Sequence, residues 1–356
     1  MRHQWIGDPQ PWMRPLLQFM AVPYGLVVRA RNLLYDHGWN RVQRLPCRVV
    51  SIGNVTVGGT GKTPVVIWIA DFLSGRGVRV GVLSRGYRRK SDARHLVVSD
   101  GRTLLASPTE AGDEPYLIAT RCPRAVVAVG ADRYRLGRWV LNQFSLDCLL
   151  LDDGFQHRAL HRDVDILLVD ASVPHALDAL LPAGQLREPL SAVRRASAIV
   201  LTRVDAELDV AAARARLTAA NDAEIDPILI RFDADAYVDV ATGKVYPLQD
   251  AVDRPVVLFS GIGNAGSFRR LVSSLGVSVR DEVIFPDHHA YTKADMEKVR
   301  ERVTQSGSTL LLTTEKDAVK IASLIDPDET VWAVRLSTEI VSGRERLERM
   351  LMMSAE

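Results

Sequence analysis

Residues 48–64 constrain this chain more than any other stretch. Arg48-Val49-Val50-Ser51-Ile52-Gly53 is a short β-branched run, Gly58-Gly59-Thr60-Gly61-Lys62-Thr63 is a glycine-rich turn, and Pro64 opens a segment whose apolar residues recur at helical spacing. Strand, turn and helix in that order build an α/β fold. Glycines let backbone N–H groups turn inward around an anion, a helix N-terminus adds its positive dipole end, Lys62 can reach a terminal phosphate, and the Thr63 hydroxyl can sit on Mg²⁺. Proline suits the first helical turn, where its missing N–H has no intrahelical partner to lose. Against the general spacing G-x-x-x-x-G-K-[ST], Thr56 occupies the first glycine position and Val57 follows it. The turn is therefore a variant, and Thr56, Val57, Gly58, Gly59, Thr60, Gly61, Lys62 and Thr63 are the candidate phosphate cradle.

Apolar strands recur at residues 78–83, 125–129, 148–151, 166–169 and 198–201, separated by helix-length or loop-rich polar sequence. This alternation predicts an open, mostly parallel sheet with helices on both faces, of the P-loop NTPase type. Residues 228–240, Thr242-Gly243 and 244–248 read as a β-hairpin, after which strands at 255–259, 309–312 and 330–336 start a second α/β set. The expected organisation is an N-terminal segment (1–45), a nucleotide-binding domain (46–227), a hairpin linker (228–250) and a smaller α/β domain (251–356). With 356 residues, 47% hydrophobic and 25% charged, the chain has material for such cores and is not a disordered polymer. A net charge of +2 gives no global field for nucleic acid. Cys47, Cys122 and Cys148 lack metal-ligand spacing and read as ordinary buried thiols.

The stretch 16–28 would cover only about 20 Å as a helix against a hydrocarbon core of ~30 Å, and Pro23 and Gly25 interrupt it. Trp5, Trp12, Phe19, Tyr24, Tyr35 and Trp39 interleave with Arg2, Arg14, Arg29, Arg31, Arg41 and Arg44. That mixture suits an interface beside anionic head groups, and it equally suits a helix packed on its own domain.

A triphosphate site needs an acid at the end of a neighbouring strand to hold its metal. Asp152 and Asp153, closing the run Cys148-Leu149-Leu150-Leu151, meet that need, and Gln156 and His157 follow beside them. Leu167-Leu168-Val169-Asp170 has similar form without the paired acid and reads as structural. Ile199-Val200-Leu201-Thr202-Arg203-Val204-Asp205 is like the strand-end [NT]-K-x-D element that holds guanine in regulatory GTPases, with Arg203 in place of lysine. That element supports an alternative, a GTPase or ATPase acting as a switch or chaperone.

Taken in order, Ser51 to Pro64, Ser84-Arg85-Gly86-Tyr87, Gly112-Asp113-Glu114-Pro115, Gly130-Ala131-Asp132-Arg133, Asp152 to His157, Leu186-Arg187-Glu188-Pro189, Asp287-His288 and Thr313-Thr314-Glu315-Lys316-Asp317 closely resemble the tetraacyldisaccharide 4'-kinases of lipid A synthesis. The family also carries threonine at the position of Thr56. The resemblance implies transfer of the ATP γ-phosphate to the 4'-hydroxyl of a membrane-embedded tetraacyldisaccharide 1-phosphate, with ATP and Mg²⁺ as cofactors, no nucleic acid and no obligate protein partner. It further implies peripheral attachment to the anionic cytoplasmic face of the bacterial inner membrane. By the same resemblance Asp113 is the base, and His288 orients it from the second domain, with His289 the adjacent alternative. Lys62 and Arg133 stabilise the transferring phosphoryl; Thr63, Asp152 and Glu188 are direct or water-mediated metal partners; Asp153, Gln156 and His157 line the pocket. Arg85 and Tyr87, with Arg88, Arg89 and Lys90, are expected at the substrate phosphate or the membrane surface. Thr313–Asp317 receives no role beyond capping a helix.

Overall fold

The computed structural model describes residues 11–353 other than 88, 206, 222, 223 and 327, so Arg2, Trp5 and Arg88 lie outside the described residues. Helix α1 (Arg14–Asp36) precedes β1 (Arg48–Asn54) and α2 (Lys62–Gly75). There follow β2 (Val80–Ser84), β3 (Leu96–Asp100), α3 (Pro108–Ala111), α4 (Asp113–Arg121), β4 (Val126–Val129), α5 (Arg133–Leu141), β5 (Cys148–Asp152), β6 (Val164–Asp170), β7 (Ala198–Thr202) and α6 (Glu207–Asn221). The remainder comprises β8 (Ile228–Asp239), β9 (Val245–Tyr246), β10 (Pro255–Ser260), α7 (Ala265–Ser274), β11 (Ser278–Ile284), α8 (Lys293–Ser306), β12 (Leu310–Thr314), α9 (Glu315–Ile321), β13 (Val331–Ser342) and α10 (Arg344–Met352).

Among the described residues thirteen strands form one sheet, ordered β11-β10-β12-β13-β8-β7-β6-β1-β5-β2-β4-β3, with β9 on β8. Pairing is parallel except at the β3 edge, the β8–β9 hairpin and the long β8–β13 pair. The sheet is thus two parallel sets joined along an antiparallel seam. Side chains alternate across the first set as strand geometry requires: Val50, Ile52, Leu150 and Val82 pack with α2 and α4 on one face, while Val49, Leu149, Leu151 and Leu83 pack with Leu136 and Val140 of α5 on the other. In the second set Val256 and Leu258 meet Phe268 and Val272 of α7, and Val257 and Phe259 meet Met296 and Val299 of α8. This is the α/β architecture that the pattern of runs predicts.

Two features differ from the sequence reading. Strands β3 and β11 are edge strands with mixed polarity, which hid them from a search for apolar runs. The second is the return of the C-terminus. Strand β13 continues past its pairing with β12, and Ile340 opposite Ile230 carries the chain back so that Leu347 and Leu351 of α10 are buried against α2 and β1. Each such leucine is worth roughly 1.5–3 kcal/mol of burial. Arg48 ends this helix by donating to the carbonyls of Met350 and Leu351, the latter at 2.7 Å. The last helix therefore packs in the core of the first half rather than with 251–343.

Cys122 and Cys148 are buried and Cys47 is half-buried; burial pushes all three thiols up to about 12. No helix among the described residues is long and apolar enough to cross a membrane.

Candidate active site

Parallel strands aim their carboxyl ends in one direction, and β1, β5, β2 and β4 are neighbours, so the loops after them converge at one edge. Ile52 lies in register with Asp152, which puts the glycine-rich turn beside the strand-end acids. Gly61 caps α2 with φ +82°, and a Cβ there would lie 2.3 Å from the Phe232 ring. Only glycine meets both demands. Loop 185–187 runs alongside the turn, with Val57 N donating to Gln185 O at 2.8 Å and Arg187 N to Val55 O at 2.7 Å, and Thr56 bridging Leu186.

The strand-end element of β7 braces the same turn. Thr202 Oγ1 donates to Thr60 O at 2.9 Å, and Arg203 donates to Gly59 O at 2.8 Å while pairing with Asp170. The residues that carried the guanine-holding alternative thus face the phosphate turn, and Asp170 acts as structural support.

Lys62 Nζ donates to Asn54 Oδ1 at 3.2 Å and lies 3.5 Å from Asp153 Oδ1; Arg187 donates to both oxygens of Asp153 at 3.0 and 3.1 Å. Burial would raise the Asp153 carboxyl, but the charges of Lys62 and Arg187 hold it below the usual range. Asp152 differs. It is 2% exposed, accepts from Ser84 Oγ at 2.8 Å, and is pushed up to about 6 by burial first and then by the charge of Glu114. Two adjacent carboxylates are thereby held in opposite states of readiness, one neutralised by lysine and arginine and one short of positive charge.

Arg133 is 3% exposed at the start of α5 and donates to Ala131 O at 2.9 Å; burial lowers its pKa, countered by Asp152 and Asp153. His157 is pushed down to about 4 by burial and then by Arg133, so its imidazole is neutral. Gln156 Nε2 donates to Asn54 O at 2.8 Å and to Glu188 Oε1 at 2.9 Å. Glu188 also accepts from Arg195 through both oxygens and from Asn32 Nδ2 at 3.1 Å, so each of its oxygens holds two hydrogen bonds. Asn32 belongs to α1. From that helix Arg31 donates to Gln156 O at 2.6 Å and Tyr24 Oη to Arg187 O at 2.6 Å.

Asp113 starts α4 after Gly112, whose φ of +92° lets the Tyr87 carbonyl approach where a Cβ would sit 2.9 Å away. His288 comes from the other half of the sheet, with Nδ1 3.9 Å from Asp113 Oδ2. Its backbone is left-handed at φ +57°, a conformation disfavoured for a side chain with a Cβ, and its N–H donates to Gly261 O at 3.1 Å. The Tyr87 ring lies 5.5 Å from the imidazole, edge to face. His289 turns elsewhere: it stacks on Phe285 and pairs with Asp295 at 3.1 Å. Arg85 is exposed, with Arg133 feeling its charge. The sequence reading did not single out Ser84, Asn54, Glu114, Arg187, Asn32 or Lys316; all but Asn32 lie inside the ordered motifs, where a position-by-position search for polar side chains would have found them.

A family model described as tetraacyldisaccharide-1-P 4'-kinase matches residues 13–355. The tetraacyldisaccharide 4'-kinase of Anaeromyxobacter sp. (strain Fw109-5) is 41% identical over 323 residues, covering 90% of this chain and 86% of that protein. That of Aquifex aeolicus (strain VF5) is 37% identical over 329 residues, covering 92% and 95%. A crystal structure of LpxK from Aquifex aeolicus in complex with ATP superposes with a TM-score of 0.76 at 35% identity, covering 95% of this chain and 98% of that one.

Proposed function

The chain belongs to the tetraacyldisaccharide 4'-kinase family, and from that premise we propose how its residues phosphorylate the 4'-hydroxyl of a tetraacyldisaccharide 1-phosphate with ATP. The turn 56–63 takes the triphosphate tail. Asp113 removes the proton of the 4'-hydroxyl as its oxygen bonds to the γ-phosphorus, while the bond to the bridging oxygen breaks and ADP leaves. His288 orients the Asp113 carboxylate. Lys62 and Arg133 place positive charge where the transferring group develops negative charge. The observation that carries this reading is the meeting of Asp113 and His288, from separate halves of the sheet, on the rim where Glu114 next to Asp113 already feels the Lys62 charge.

The donor set fits a divalent cation. Asp152 is a fully buried carboxyl short of positive charge, at the strand end in register with the lead into the phosphate turn. Thr63 and Asp152 would hold Mg²⁺, with Glu188 at one remove because both its oxygens are engaged, and the ion would neutralise phosphate oxygens. Asp153, Gln156 and His157 line this pocket. Arg85 and the exposed Tyr87, beside His288, suit the sugar phosphate of the acceptor. The acceptor is a membrane lipid, and α1 turns Phe19 and Val27 outward, with Trp12 exposed just ahead of it, while its Tyr24, Arg31 and Asn32 hold the site. That polarity supports docking on an anionic bilayer at the cytoplasmic face of the inner membrane.

The test is transfer of radiolabel from [γ-³²P]ATP to the tetraacyl disaccharide 1-phosphate, with and without Mg²⁺. Asp113→Ala should lower turnover roughly 10²-fold or more with nucleotide affinity nearly intact, whereas Lys62→Ala should impair both. An Asp113 variant of unchanged turnover would remove it as the base.

A further inference from the structure

The element Thr313–Asp317 does more than cap α9. Thr314 does cap it, with Oγ1 accepting from Asp317 N at 3.1 Å and donating to Asp317 Oδ2 at 2.8 Å. From this start three consecutive side chains reach three places. Glu315 accepts from Arg121 with both oxygens at 2.7 Å, gripping the last turn of α4. Asp317, fully buried, accepts the Gly261 N–H at 3.0 Å and so holds the loop whose carbonyl receives His288 N. Lys316 reaches the first turn of α4, donating to Glu114 Oε1 at 3.0 Å, and its ammonium lies 4.0 Å from Asp287 Oδ1 and 3.3 Å from His288 Nε2.

An ammonium has donors and no acceptor. Burial would lower the pKa of Lys316, but Glu114 and Asp287 hold it above its ordinary value, so the charge is retained. A donor directed at His288 Nε2 requires a lone pair there, and a neutral imidazole with that lone pair carries its proton on Nδ1. Nδ1 is the nitrogen that faces Asp113. Among the described residues, the groups that face the ring include Asp113 from α4, Asp287 from its own loop, Lys316 from α9 and the Tyr87 ring.

We propose that Lys316 is a positioning residue that selects the Nδ1–H tautomer of His288 and thereby turns an N–H toward the Asp113 carboxylate. The inference rests on the reading of Asp113 and His288 as the reacting pair. It assigns Lys316 an effect on kcat that a packing contact alone would not produce.

Long-range ¹⁵N–¹H correlation spectra of ¹⁵N-histidine-labelled protein at about pH 8.5, where an ordinary imidazole is neutral, report the tautomer directly; His288→Gln assigns the signal. The wild type should show Nδ1–H at His288. Lys316→Met should move it to Nε2–H or a mixture and lower kcat at least roughly tenfold with KM for ATP within about twofold. Lys316→Arg, also a pure donor, should keep the wild-type tautomer, and so should Glu114→Gln, which removes the ion pair and leaves the ammonium at the ring. An Nε2–H pattern in the wild type would overturn the proposal whether or not any variant folds, as would an unchanged Nδ1–H in Lys316→Met. The spectra need no acceptor lipid, so an inactive wild-type chain would count against the kinase reading, and an Nε2–H imidazole against this one.

Discussion

His157 shows how one burial decision shapes the acid behaviour of the molecule. Its pKa falls from 6.5 to about 4 because the ring is largely removed from water and Arg133 lies near. The unfolded chain takes up a proton near 6.5 that the folded chain refuses, so stability falls as pH drops from there toward 4 and is lost no further below it. His157→Gln should shrink the difference in unfolding free energy between pH 7 and pH 4.5 by about 1–2 kcal/mol, a range reduced for partial solvent screening. Urea titrations at the two pH values measure it; an unchanged difference would mean the ring is solvated. At this scale the sequence was most informative where chemistry is local. Lys62, Thr63, Asp152 and Asp153 stand at spacings that a strand–turn–helix unit dictates. His288 was found only through its family motif, because the Asp113 it faces lies far away in the chain, and nothing in Asp287-His288-His289 says which imidazole a left-handed backbone turns toward the site. Lys316 was illegible for the same reason: three adjacent charged residues look like a solvated face until α4 is packed against them.

Among the elements, the end of β7 links fold and site. Its Thr202 and Arg203 hold the carbonyls of Thr60 and Gly59, a brace that would keep the turn in one arrangement for the triphosphate proposed to bind there. Arg203 achieves this from a left-handed backbone, φ +56°, and is anchored by Asp170 at the end of β6. Arg203→Ala should therefore weaken ATP binding roughly tenfold, about 1.4 kcal/mol, without creating any preference for GTP, and calorimetric titration with both nucleotides would show it. An affinity unchanged for ATP would make the brace ornamental; a gain for GTP would restore the guanine reading. The apolar runs of β1, β5, β6, β7, β10 and β12 were readable because parallel strands are buried on both faces. The register of β8 with β13 was not, since it depends on partners from opposite ends of the second half, and with it went the return of α10 to the first core.

For the molecule as a whole, α1 is organised inside out. Its polar residues Tyr24, Arg31, Asn32 and Asp36 bond to the body of the protein, at Arg187, Gln156, Glu188 and Arg158, while Phe19 is 75% and Val27 69% exposed, along with Leu16, Met20, Val22 and Leu26. A helix meant to pack on its own domain would show the reverse arrangement, and an apolar face of this extent is unfavourable in water. The interleaved aromatic and arginine residues alone serve interface helix and packed helix equally, and it is the family resemblance that tilts the sequence reading toward the interface; the direction of the apolar face supports that proposal. The same helix touches the two loops that carry Gln156 and Glu188, so an enzyme seated on a bilayer by α1 would present its phosphate edge at a fixed height above the lipid head groups. Phe19→Glu with Val27→Glu should cut partition onto anionic vesicles at least roughly tenfold, since each exchange replaces an inserted apolar side chain with a like charge to the surface. ATP affinity should be unchanged, and turnover should fall on acceptor in vesicles but recover on acceptor dispersed in detergent micelles. Vesicle sedimentation and the two turnover assays decide it: equal partition of variant and wild type would return α1 to the role of a packed helix, and equal loss in micelles and vesicles would place the effect in the Glu188 loop instead of at the membrane.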